Sequence, residues 1–182
     1  MNEKVLILSD GKPGHLNQSI AFCKLKNISY DILEIKQASK IKKSLSYILD
    51  FFSIYINLFN LKVEKKDYKA LVSTGSLTYY TNKYFAKKLK TKSIAIMLPK
   101  GFRYSDFDYI LALDHDNPPK NKNIISMPLN LSVNKAKGFI KKSEKNSIGI
   151  IIGGDNSIFK MDVKSIKEVL DKIYKDYPNH LK

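Results

Sequence analysis

His15 is one of three histidines in 182 residues, and it stands in the run Ser9-Asp10-Gly11-Lys12-Pro13-Gly14-His15-Leu16-Asn17-Gln18-Ser19. An imidazole can take a proton from a hydroxyl near neutral pH, and a neighbouring carboxylate such as Asp10 can orient it. Gly11 and Gly14 allow backbone N–H groups to approach an anion, Lys12 adds positive charge, and Asn17 and Gln18 add hydrogen-bonding capacity. This set suits a phosphorylated or sugar-like molecule bound beside a general base. The same residues would also serve as a tight strand-to-helix turn, with His15 structural and Asp10 a turn cap. The run is neither a Walker loop, since no Lys-Ser/Thr closes it, nor a dinucleotide GxGxxG.

Three further loops carry residue types capable of chemistry. In Ser73-Thr74-Gly75-Ser76, small hydroxyl residues surround a glycine at a helix start. Gly75 and Ser76 would suit a phosphate or a sugar hydroxyl, and Ser76 would equally suit an ordinary helix cap. Asp114-His115-Asp116 has the residue types of a metal or acid–base cluster. Adjacent residues at a strand end point to different sides, so hydrogen bonding by His115 is favoured over metal binding, and no metal is expected. Gly153-Gly154-Asp155-Asn156-Ser157 is a candidate nest for a diphosphate.

The elements that must hold these loops alternate. Val5–Leu8 reads as a buried strand and Asn17–Lys26 as a helix; Tyr30–Ile35 reads as a strand. Ser39 or Ser44 caps a helix expected to run to about Phe59. Ala70–Val72, Ser93–Leu98, Tyr109–Leu113 and Asn123–Ser126 read as further strands, with a helix after Ser76. The class expected is α/β, a Rossmann-like parallel sheet with helices on both faces. Ligands bind such sheets beyond the carboxyl ends of the strands, so His15 is expected to face a cleft near Ser73–Ser76. The polar run 135–146 is the expected boundary between a first domain, residues 1–140, and residues 147–182. There the pattern restarts with the apolar strand Ser147–Ile152, the glycine pair and a helix over Asp162–Tyr174, the start of a second Rossmann-like unit.

The formal charge of +15 invites a nucleic-acid reading, but Arg103 is the sole arginine among 32 Lys and Arg. Phosphate and base readers rely on arginine's planar fork, and these lysines are dispersed along the chain, so no specific nucleic-acid binding is expected. An apolar fraction of 43% is enough for a packed core. The single Cys23 reads as a small buried apolar residue in a reducing compartment, and Val5–Leu8 is too short for the apolar core of a secretion signal. The expected location is therefore cytoplasmic. Leu45–Phe59 is the most apolar stretch, too short to span a bilayer, and follows the basic Lys40-Ile41-Lys42-Lys43. A buried helix fits it, and so does a helix lying on an anionic membrane at the cytoplasmic face.

Taken in order, these segments resemble the mitochondrial fission "elongated mitochondria" (ELM) family. "SDGKPGHLNQS" is close to the family's opening signature. "LVSTGS" resembles its second loop, with Ser76 where the family usually has arginine, and "LPKG" resembles a Pro-Arg with Lys100 in place of arginine. "FDYILALDHD" resembles its Phe-Asp…His-Asp segment; "NIISMPLN" matches loosely, and "IGIIIGGDNSIFKMD" resembles the opening of its second half. The resemblance implies the amino-terminal half of a GT-B-like glycosyltransferase fold, supplying the acceptor side of the cleft. The family's later Ser-Arg-Arg-Thr and Asn-Pro-Tyr motifs do not occur in these residues, so an amino-terminal portion, inactive by itself, is expected. The implied substrate is a nucleotide-sugar or other phosphorylated small molecule, with no separate cofactor. His15 would be the base, Gly11, Gly14 and Ser76 would position the acceptor or a phosphate, and Gly153 and Gly154 would meet the donor diphosphate. The alternative is a non-catalytic membrane-associated or scaffold protein that binds a nucleotide or a partner.

Overall fold

The computed structural model describes residues 4–36, 39–63, 67–133, 146–155 and 159–180. Its contacts divide the chain into two units, Met1–Asn134 and Lys135–Lys182.

In the first unit the elements run β1 (Lys4–Ser9), α1 (Pro13–Leu25), β2 (Ser29–Glu34), α2 (Lys40–Phe51) and β3 (Tyr68–Thr74), then α3 (Ser76–Leu89), β4 (Lys92–Ile96), β5 (Tyr109–Leu113) and β6 (Ile124–Met127). All paired strands are parallel, in the order β2-β1-β3-β4-β5-β6. Single-turn 3-10 helices at Tyr104–Asp106 and Asp114–Asp116 lie in the last two crossovers. The sheet is the expected α/β, Rossmann-like arrangement.

Period-2 alternation sorts the strand residues between two faces. Val5 and Ile7 of β1, with Ala70 and Val72 of β3, pack with Cys23 of α1. Leu6 and Leu8, with Leu71, pack with Phe85 of α3. Strands buried on both faces must be apolar at nearly every position, and β1 from Val5 to Leu8 is. A third cluster joins Tyr79 and Tyr80 of α3 to Phe102, Phe107 and Ile110, with Phe59 packed in from the segment after α2.

Two helices of the first unit differ from the sequence reading. The first helix begins at Pro13 rather than Asn17, because proline fits the first helical position, where its missing N–H is not needed. The second stops at Phe51, with Ser53 at φ +59°, and the chain then turns back. Residues 54–59 are held without helix: Tyr80 Oη accepts from the Ile56 N–H at 2.9 Å and donates to the Ile54 carbonyl at 2.9 Å. Apolar periodicity alone does not separate such anchored loop residues from helix.

The orientation of α2 departs from the usual rule, although Tyr47 and Leu49 pack against the third cluster. The helix's buried positions are Ser46 and Asp50, while Ile41, Leu45, Ile48 and Phe51 are exposed. Asp50 turns inward because Lys83 of α3 waits there, fully buried, with Nζ 2.7 Å from Asp50 Oδ1 and 2.7 Å from the Arg103 carbonyl. The Arg103 N–H and the Tyr55 hydroxyl donate to the same carboxylate. Burial pushes the Lys83 ammonium below the usual lysine range, opposed by Asp50.

In the second unit, α4 (Val163–Asp176) is capped by Asp162, whose carboxylate accepts from the Lys164 and Ser165 N–H groups. The Ser165 hydroxyl, which also donates to this carboxylate, and then these backbone bonds hold the Asp162 carboxyl below its usual range. The strand expected over Ser147–Ile152 is absent, apart from an isolated bridge at Ser147, and Ile150, Ile151 and Ile152 are exposed. An apolar parallel strand needs ladder neighbours, and the described residues of this unit contain no second strand.

Candidate functional site

The strand order reverses between β1 and β3: the chain leaves β1 for one edge of the sheet and leaves β3 for the other. The crossover helices α1 and α3 pack on opposite faces, so the loops after β1 and β3 part there, at the point where doubly wound sheets bind ligands. Two hydrogen bonds fix the local frame. Ser19 of α1 meets Thr74 at the end of β3, Oγ to Oγ1 2.8 Å, in a buried contact. Tyr79 of α3 donates its hydroxyl to the Ile96 carbonyl at 2.7 Å, and burial raises this phenol above its ordinary value.

Asp10 and His15 meet in this frame. His15 Nδ1 is 2.9 Å from Asp10 Oδ2 and 3.1 Å from Oδ1. A carboxylate can only accept, so Nδ1 carries the proton, and in the neutral imidazole Nε2 keeps its lone pair. The Asp10 side chain is 4% exposed and that of His15 is 24% exposed, so the carboxylate is sheltered while the ring reaches solvent. Asp10 Oδ1 also accepts from the Lys12 N–H at 3.3 Å, and the Ser9 hydroxyl accepts from the Gly11 N–H at 3.1 Å.

Gly75 closes the site from the β3 side. Its φ is +97°, and a Cβ there would lie 2.3 Å from His15 Nδ1, 2.6 Å from Cε1 and 3.1 Å from Asp10 Oδ2. The His15 ring therefore rests directly on the Gly75 backbone, and only glycine admits both the conformation and the contact. Gly75 is also the N-cap of α3, so two helix starts face this place. Neither is capped by a side chain, and neither has an acidic residue in its first turn. Both positive helix ends can act on a bound anion.

Of the residues anticipated from sequence, Asp10, His15 and Gly75 are in mutual contact, with Gly11, Lys12 and Gly14 on the loop that joins the first two. Lys12 Nζ is 3.9 Å from Asp10 Oδ2 and largely exposed. Ser76 is the first residue of α3 and half-buried. Gln18 turns aside to Met97, its Nε2 3.5 Å from Sδ, and its buried Oε1 has no partner among the described residues. Asn17 lines a separate hollow of about 220 Å³ with Lys24 and Leu131. His115 is exposed in a 3-10 turn and makes no hydrogen bond to this group among the described residues. Its neighbours are engaged elsewhere: Asp116 with Lys100 Nζ at 2.7 Å, and Asp114 with the Ser126 hydroxyl. Among the described residues no group of three His, Cys, Asp or Glu is placed to hold a metal ion. Gly153, Gly154 and Asp155 are exposed in the second unit, where Asp155 Oδ1 accepts from the Met161 N–H at 2.8 Å. Asn156 and Ser157 lie outside the described residues.

Sequence reasoning missed Glu34. It ends β2, pairs in register with Ser9, and its Oε1 would lie 3.2 Å from a Cβ at Gly11. An acid at the end of the second strand was the available signal, since Rossmann folds often place a sugar-binding carboxylate there. A hollow of about 420 Å³ lies at the opposite end of the sheet, where Lys87, Lys90 and Asp108 flank the start of β4, away from every anticipated residue.

Among the described residues no helix is long and apolar enough to cross a membrane. Comparison with curated proteins and with solved structures finds no match. The sequence profile described as mitochondrial fission ELM1 matches residues 13–181, which takes in His15, Gly75 and the glycine pair of the second unit. With that match covering nearly its whole length, the chain belongs to the mitochondrial fission ELM1 family.

Proposed function

We propose that the Asp10–His15–Gly75 site binds a nucleotide-sugar or a related phosphorylated small molecule and serves the acceptor side of a GT-B-like glycosyl transfer. The observation that carries this reading is the oriented His15: Asp10 fixes its tautomer, leaving Nε2 to receive a proton, beside two helix starts suited to an anion. In the step envisaged, Nε2 takes the proton of an acceptor hydroxyl. The freed oxygen pair bonds to the anomeric carbon while the bond to the nucleotide diphosphate breaks, and the diphosphate leaves with that electron pair. The Glu34 carboxylate beside Gly11 can accept hydrogen bonds from a sugar diol. The proposal rests on the first unit alone. Gly153 and Gly154 keep the role of donor-diphosphate contacts only as a sequence-based expectation.

The test is a thermal-shift and turnover panel of nucleotide-sugars on the full chain. The reading predicts that one class, a uridine diphosphate sugar first, raises the melting temperature. His15→Ala should keep that shift while lowering any transfer or donor hydrolysis by about 10²–10⁴-fold, the usual worth of a general base. Binding without turnover in the unaltered chain would favour the non-catalytic, ligand-controlled scaffold. No response to any nucleotide-sugar would overturn both.

A further inference from the structure

The apolar face of α2 points away from the core. With successive residues 100° apart around the helix, Ile41, Leu45, Ile48 and Phe52 fall on one side, with Phe51 at its margin. Ile41 is 79% exposed, Phe51 71% and Phe52 64%. The opposite side holds the buried Ser46 and the Asp50–Lys83 pair. A helix fitted only to its own core would show the reverse pattern, with the apolar stripe inward. Two phenylalanines at edge-to-face contact, ring centroids 5.2 Å apart, end the stripe. An exposed stripe of this extent marks a contact surface.

Charge selects the occupant. Lys40 and Lys42 lie in the first turn of α2, each about 100° around the helix from the stripe, whereas Lys43 falls on the side of Asp50. From Ser39 to Phe59 the only acidic residue is Asp50, which is buried and paired, so no exposed carboxylate interrupts the stripe. The whole chain carries +15. An apolar stripe bordered by lysines and free of exposed acid fits a bilayer surface, where the rings and aliphatic chains enter the interface and the ammonium groups remain among headgroups. A second copy of this chain would instead bring its own lysines against these.

We propose that α2 is a lipid-docking helix that holds the protein on anionic membrane surfaces. The proposal is independent of the ligand site. Attraction of Lys40 and Lys42 to anionic lipid falls with salt, because such charges act through a screened field.

The test is flotation of the full chain with phosphatidylcholine vesicles, with and without phosphatidylglycerol, at low and high salt. Binding to the anionic vesicles that weakens with salt is expected. Ile48→Asp with Phe52→Asp, both solvent-facing changes, should abolish it while circular dichroism and melting stay near the original. Lys40→Glu with Lys42→Glu should lower partitioning at least tenfold, since each surface lysine contributes about fivefold. Failure to bind anionic vesicles would overturn the proposal, as would equal binding by the Ile48→Asp, Phe52→Asp chain. A dimer by light scattering that this double change turns into a monomer, with no lipid binding in either form, would assign the stripe to a second copy and also overturn it.

Discussion

One added carbon at Gly75 would strike the His15 ring, because its Cβ position lies 2.3 Å from Nδ1 and the backbone is at φ +97°. Gly75→Ala should therefore displace the imidazole from Asp10 and cost about 1–3 kcal/mol of stability. Any transfer should fall as it does for His15→Ala. Gly14→Ala is the control: a Cβ there meets nothing within 4 Å, so stability should change little. Chemical denaturation of the two variants checks this. Cys23 offers a second reading at this scale. It is fully buried, and burial pushes its thiol up from 9.0 to about 11. The native chain should resist thiol-specific labelling at pH 8 and react once unfolded. The sign of the linkage follows: the folded state keeps the proton that the unfolded thiol loses above 9.0. This contribution is complete below pH 9.0 and is lost as pH rises through about 11. The stability difference between the unaltered chain and Cys23→Ala should shrink across that window. His15, Asp10 and Gly75 were legible in sequence because glycine and histidine after a strand are unusual types in informative places. Glu34 was not, since its value comes from its closeness to Gly11 across β1 and β2, a matter of register.

At the scale of elements, the joint between α2 and α3 is a buried ion pair, Lys83 and Asp50, with side-chain exposures of 0% and 1%. Removing one partner leaves the other buried and uncompensated, which typically costs about 3–5 kcal/mol. Lys83→Met should destabilise on that order, and adding Asp50→Asn should recover part of the loss; a double-mutant cycle by denaturant titration measures both. Equal losses in the single and double variants would show that the pair does not act as a unit. The sequence offered Ser39 or Ser44 as the start of α2, and Ser39 is the cap: its hydroxyl accepts from the Lys42 N–H. It did not show which face turns inward. That choice depends on Lys83, far along the chain, and a single buried charge outweighed the apolar pattern. The end of α2 was misread for a related reason. Ile54 and Ile56 are held by Tyr80 through backbone hydrogen bonds that leave no periodic trace in sequence.

For the whole molecule, the α/β class was legible because strands and helices alternate and strands such as β1 and β5 are mainly apolar. The order β2-β1-β3-β4-β5-β6 was not, yet it creates the reversal between β1 and β3 where the candidate site lies. Stability should follow that order. Amides of the central strands β1, β3 and β4 should exchange most slowly with deuterium, whereas those of residues 149–154, exposed and without ladder partners among the described residues, should exchange close to the free-chain rate. The missing strand in the second unit shows the limit of apolar patterning: Ile150 to Ile152 have strand composition, but a strand requires neighbours that composition does not provide. The central claim concerns the first unit, and amide chemical-shift mapping of the nitrogen-15-labelled full chain, titrated with a uridine diphosphate sugar, tests it most directly. The account predicts that Gly11, Gly14, His15, Gly75 and Ser76 shift most, saturably and together. Saturable shifts confined to other residues, or none with any nucleotide-sugar, would contradict it.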